Sequence, residues 1–166
     1  MNLTKFNTKV SSDLIEGEEV LAKTKGAPKG IIDRAIFYGA GFNVGGVVGG
    51  AAMSKASDKF VKEKEDTGKK EREEAGVDLE GLSSVIVGLS NKRIILWSQN
   101  FLGAPKKQVA SIAIEDVEKI EMKKDKLVMV PMPTMQIHLK DGSSFGLQIA
   151  KIQKKQADNL IELFEK

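Results

Sequence analysis

Apolar and polar positions alternate with a period of two through much of residues 82–149, and the chain then closes at helical spacing. The segment SSVIVGLSNKRIILWS reads as a hairpin. A two-residue turn at Asn91-Lys92 sets Leu89 opposite Ile94, Val87 opposite Leu96 and Val85 opposite Ser98, so one face is apolar. It also sets Trp97 opposite Ile86, a core or half-buried sheet position. A second hairpin lies in MQIHLKDGSSFGLQI. A two-residue loop at Asp141-Gly142 sets Ile137 opposite Gly146. A three-residue loop, Lys140-Asp141-Gly142 with Gly142 left-handed, sets Ile137 opposite Phe145 and Met135 opposite Leu147. The second register gathers the apolar residues on one side, and it is preferred.

Between the hairpins, QVASIAI and EKIEM read as short strands joined near Glu115-Asp116, and LVMV as another, ended by Pro131 and Pro133. In the last segment, KIQKKQADNLIELFEK, the residues Ile152, Ala157, Leu160, Ile161 and Phe164 share one helical face. The prediction is an α+β fold, mainly β, with about seven antiparallel strands and a C-terminal amphipathic helix.

Composition divides the chain into residues 1–29, an N-terminal arm and first strand; 30–81, a glycine-rich stretch and then a charged run; and 82–166, the remainder of the β domain. The phrases Gly17-Glu18-Glu19-Val20-Leu21, Leu89-Ser90-Asn91-Lys92-Arg93-Ile94 and IAIEDVEKIEM, in this order and before a final helix, resemble the bacterial pleckstrin-homology-like (PH-like, GRAM-related) domains. The resemblance covers residues 16–26 and 82–166. It implies a barrel of two near-orthogonal antiparallel sheets plugged at one end by the helix. It also implies a non-enzymatic module that binds lipid or protein. The departure is the connection from the first strand to the second, which runs from about residue 27 to residue 81 and is too long for a structureless loop. A helical insertion is expected there.

That insertion opens with YGAGFNVGGVVGGAAMS, residues 38–54, in an uncharged run from Ala35 to Ser54. Three readings arise. In the first, Gly39-x-Gly41-x-x-x-Gly45 is a dinucleotide loop. The charged run that follows supplies no parallel strand, which disfavours a nucleotide-binding enzyme. In the second, Gly41, Gly45 and Gly49 line one face of a helix that packs against an anionic membrane or the same segment of a second chain. The uncharged run has the length of a bilayer core, but its glycines suit a peripheral segment better than a crossing one. In the third, the segment packs on its own domain.

Charge and chemistry narrow the function. Net charge is +3, a mild bias toward anionic partners. No cysteine is present, which removes thiolate catalysis and cysteine metal sites and fits a reducing, cytoplasmic setting. The first 20 residues carry no apolar run of signal-peptide length. His138 is the single histidine, expected on the outward face with Gln136 and Lys140, where it has no partners for metal binding or catalysis. Asp116 reads as a turn-capping residue. The charged run after Lys55 mixes both signs, and no basic cluster interleaves with aromatics, which disfavours nucleic acid. The expectation is therefore a cofactor-free, non-enzymatic module. It would act at the inner face of a membrane or on a protein partner, with a homo-oligomer through residues 31–54 as a further option. Its candidate binding residues are Lys23, Lys25, Lys29, Gly41, Gly45, Gly49, Lys92 and Arg93. The second strand, SSVIVGLS, offers no cation, which argues against specific phosphoinositide recognition and leaves general attraction to anionic headgroups.

Overall fold

A computed structural model describes residues 1–29, 54–125 and 132–166. Its elements are α1 (Leu3–Val10), β1 (Val20–Pro28), α2 (Ser54–Glu74), β2 (Val85–Ser90), β3 (Arg93–Gln99), β4 (Pro105–Ala113), β5 (Val117–Asp125), β6 (Met132–Leu139), β7 (Ser144–Gln148) and α3 (Lys154–Phe164). The seven strands form an open antiparallel sheet in the order β4-β3-β2-β1-β7-β6-β5. The mixed α+β class, the strand number and the terminal helix agree with the sequence reading. A helix, α2, does lie between β1 and β2. The glycine stretch and LVMV fall outside the described residues.

Both hairpin registers match expectation. Leu89 pairs with Ile94, Val87 with Leu96, Val85 with Ser98 and Ile86 with Trp97. Ile137 pairs with Phe145 and Met135 with Leu147, and Gly142 has φ +87°, as the three-residue loop requires. A short 3-10 turn, Ile114–Asp116, joins β4 to β5.

β1 is the strand that holds the two halves together. It pairs with β2 as far as Gly26–Val85, then with β7 from Ala27–Gln148 onward. The switch falls at Gly26, where an added Cβ would stand 3.1 Å from both Ile149 and Leu147. A side chain here would press on β7, and glycine avoids that crowding. The sheet folds round one core drawn from every strand, including Val87, Leu96, Ile120, Ile137 and Phe145, and α3 closes it with Ala157 and Leu160. Val77 and Leu79, just after α2, also enter this core.

The outer faces are covered too. α1, in the segment expected to be an N-terminal arm, lays Phe6 and Val10 on the outside of β1–β3. There they join Val20, Ile86, Ile95 and Trp97 in a second cluster. Asn2 caps this helix by accepting a hydrogen bond from the Lys5 N–H at 2.9 Å. α2 packs against β7. Beside it Gln136, expected outside, is buried and donates to Ser144 Oγ. Ile152 departs the other way. It lies in a 3-10 turn ahead of α3 and is 81% exposed, off the helical face assigned to it.

Trp97 is fully buried, its ring edge-on to Phe6 at 5.3 Å. Its six-membered ring occupies the space where Gly88 would carry a side chain, since a Cβ there would stand 2.7 Å from Trp97. Gly88→Ala is therefore expected to destabilise the fold by about 1–3 kcal/mol, the usual cost of overpacking a core. Thermal unfolding of the variant checks this; an unchanged midpoint would show that the ring has room to move.

Candidate binding groove

A β-bulge at the start of β1 decides which way its lysines point. The pairing register shifts between Val20 and Ala22, so Val20 joins the outer cluster while Ala22 joins the inner core. Lys23 and Lys25 then fall on the outer face, beside α1. Both line a groove of about 410 Å³ with Met1, Phe6, Ile86, Leu102, Gln153 and neighbours. Its walls are α1, β1, the β3–β4 loop and the turn before α3.

The two lysines are held differently. The Lys23 ammonium stands 5.3 Å from the centre of the Phe6 ring, a cation–π contact. Burial, and then the Lys25 charge, push the Lys23 pKa down. Lys25 donates to the Gly103 carbonyl at 2.8 Å and so ties the β3–β4 loop to β1. Among the described residues that line the groove, none carries a carboxylate. Two like charges therefore share one concave site without an acidic partner in it, an arrangement that an incoming anion relieves.

The absence of acid extends along the chain segments that build the groove. Residues 1–12, 20–29, 81–114 and 142–157 contain twelve Lys or Arg and no Asp or Glu. All 23 acidic residues lie elsewhere. A second groove, of about 380 Å³ between β5 and α3, has the opposite character: Glu121, Asp158, Glu162 and Glu165 line it with Lys119.

The other predicted cations serve the fold. Lys29 makes a 2.8 Å ion pair with Glu71 of α2, and Arg72 donates to the Lys29 carbonyl. Lys92 donates to the Glu16 carbonyl at 2.7 Å. The Arg93 guanidinium meets both oxygens of Glu18, the Asp13 carbonyl and Ser111 Oγ. Burial would raise the Glu18 carboxyl, but hydrogen bonds from Arg93, Ser90 and the Ile15 N–H outweigh it and hold it at about 2. Asn91 completes the contact: its side chain accepts from the Glu19 N–H and donates to the Gly17 carbonyl. The two short phrases singled out in the sequence, around Gly17 and around Asn91, are thus two halves of one lock. Lys92 and Arg93 lie by the start of β1, whereas Lys25 pairs with Ile86 toward the other end of β2. The structure brings Lys23 and Lys25 together and leaves Lys29, Lys92 and Arg93 out of the groove. Gly41, Gly45 and Gly49 lie outside the described residues.

His138 stands 3.0 Å from Glu121, which also meets Lys119 and Lys123. The hydrogen bond from Lys119 is the main cause holding the Glu121 carboxyl at about 2. Among the described residues, no group of three or more His, Asp or Glu is placed to hold a metal ion, and no helix is long and apolar enough to cross a membrane.

Sequence reasoning found only Lys23 and Lys25 of the groove's lining and missed the rest, among them Phe6, Leu102 and Gln153. The one available signal was Phe6 and Val10 at i and i+4 behind an Asn cap. The chain matches no protein family, no curated protein and no solved structure at a significant level.

Proposed function

We propose that this chain is a non-enzymatic binding module of the pleckstrin-homology-like kind, a helix-plugged barrel with a helical insertion, that associates peripherally with an anionic membrane surface. One observation carries the reading: Lys23 and Lys25 share a groove whose lining, among the described residues, includes no acid. Lipid phosphates are the anions that such a groove meets in quantity on a surface, and each lysine near that surface contributes about 1 kcal/mol. The spacing of Gly41, Gly45 and Gly49 in the uncharged stretch, with Lys55 and Lys59 following it, supports a second contact with such a membrane. The cysteine-free composition agrees with the cytoplasmic side of a bacterial membrane.

Co-sedimentation with phosphatidylcholine vesicles, with and without phosphatidylglycerol, tests the proposal. Binding is expected only to the anionic vesicles and is expected to weaken in salt. Lys23→Gln with Lys25→Gln should weaken it by about 2 kcal/mol, on the order of thirtyfold. Equal binding to neutral vesicles, or a double variant that binds as well as the parent, would overturn the groove reading. A concentration-dependent dimer without lipid, lost in Gly45→Leu, would instead favour self-association through residues 31–54.

A further inference from the structure

The β3–β4 loop presents two adjacent, strongly exposed apolar side chains. Phe101 is 94% exposed and Leu102 is 77% exposed. A Phe so nearly bare in water has no folding role to explain it, and two adjacent apolar residues at a loop tip form a patch rather than a scattered surface hydrophobe.

The loop holds them out in a fixed shape. Asn100 accepts from the Leu102 and Ala104 N–H groups through its side chain, each at 3.0 Å. Its backbone N–H donates to the Ala104 carbonyl, and its carbonyl accepts from Gly103. Lys25 then fastens the Gly103 carbonyl to β1. The apolar tip is thereby anchored to the lysine groove, and Leu102 is itself one of the groove's walls.

Charge indicates what covers the tip. Lys106 and Lys107 follow it at the start of β4, both exposed, and no acid occurs from residue 81 to residue 114. Across the groove, Ile152 is also exposed and lies in the run Lys151-Ile152-Gln153-Lys154-Lys155. Apolar points ringed by lysines match the layering of an anionic bilayer, with hydrocarbon just beneath a plane of phosphates. A protein partner with an apolar pocket would not require acid to be missing from residues 1–12, 20–29, 81–114 and 142–157.

We infer that Phe101 and Leu102 form a wedge that enters the acyl boundary of an anionic bilayer while Lys23, Lys25, Lys106 and Lys107 meet the headgroups. This rests on the proposed membrane association and adds the residues that insert and the orientation they impose, with the β3–β4 loop pointing into the lipid. The test uses the full chain and vesicles of phosphatidylcholine with phosphatidylglycerol. Phe101→Ser with Leu102→Ser removes apolar area without changing charge. It should reduce partitioning by about ten- to hundredfold while leaving thermal unfolding unchanged, since neither side chain is packed. Because the chain has no cysteine, Phe101→Cys carries a single nitroxide. On vesicles that label should become accessible to oxygen dissolved in the bilayer and shielded from an aqueous nickel chelate. If the parent binds and the double serine variant binds equally, with the label still in water, the wedge is overturned while surface association stands. If the parent ignores anionic vesicles, the proposed function fails and the wedge with it. A lipid-independent dimer abolished by the serine pair would assign the tip to a second copy and also overturn the wedge.

Discussion

Arg93→Ala is expected to destabilise the domain by about 3–5 kcal/mol and to remove much of its acid sensitivity. The Glu18 side chain is wholly inaccessible, and among the described residues Arg93 is its one ion-pair partner, at 2.9 Å. Removing that cation leaves a carboxylate buried with Ser90 and the Ile15 N–H alone. In the parent, the Glu18 carboxyl is held at about 2 against an ordinary 4.5. The unfolded chain therefore takes up the proton first as pH falls. The stabilisation, roughly 3 kcal/mol, is fully present above about pH 4.5 and is lost as pH falls toward about 2. Urea unfolding followed by Trp97 fluorescence reads the effect directly. At about pH 7 the variant should unfold at much lower urea, and at about pH 3 the gap between the two proteins should narrow by about 2 kcal/mol. A gap that stays constant with pH would show that Glu18 is not the titrating group.

Phe6→Ala should cost about 3–5 kcal/mol, the range for emptying a buried aromatic site. Phe6 is fully buried and meets Trp97 edge to face, with ring planes 87° apart. The pair contributes about 1 kcal/mol beyond buried area, which a double-mutant cycle with Trp97→Leu would isolate. Loss of the ring should loosen α1 from the sheet and shift the emission of Trp97, the single tryptophan, to the red. It would also strip Lys23 of the ring it stands over, so the groove and the fold share this residue. A variant as stable as the parent, with unshifted emission, would show that α1 is dispensable to the folded unit.

The hairpins were legible because register and burial are one question there. Only one pairing put Leu89, Val87 and their partners on a single face, and the protein uses it. The helix α1 was not legible in the same way. In eight residues it offers two buried apolar positions, Phe6 and Val10, too few for periodicity to stand out. Gln136 misled for a related reason: alternation marks it as outward, but the protein around α2 and β7 then buries it. The groove was hidden more deeply. Lys23 and Lys25 face outward through a bulge that no pattern announces, and Leu102 reaches them from a distant loop. The lysines of β1 were visible as cations, but the dispositions of Lys29 and Arg93 depended on Glu71 and Glu18, which only folding brings near.

The placement of β1 also governs the order in which the chain can complete itself during synthesis. Of the seven strands it is made first, yet it sits in the middle of the sheet, flanked by β2 and β7. Its first partner arrives only after the long insertion, and its second, β7, is the last of the seven. Until residue 148 has been translated, the far end of β1 has a bare hydrogen-bonding edge beside a half-built core. Such an edge invites pairing between neighbouring nascent chains. The lysines of β1 also give that waiting strand the like charge that keeps two copies apart.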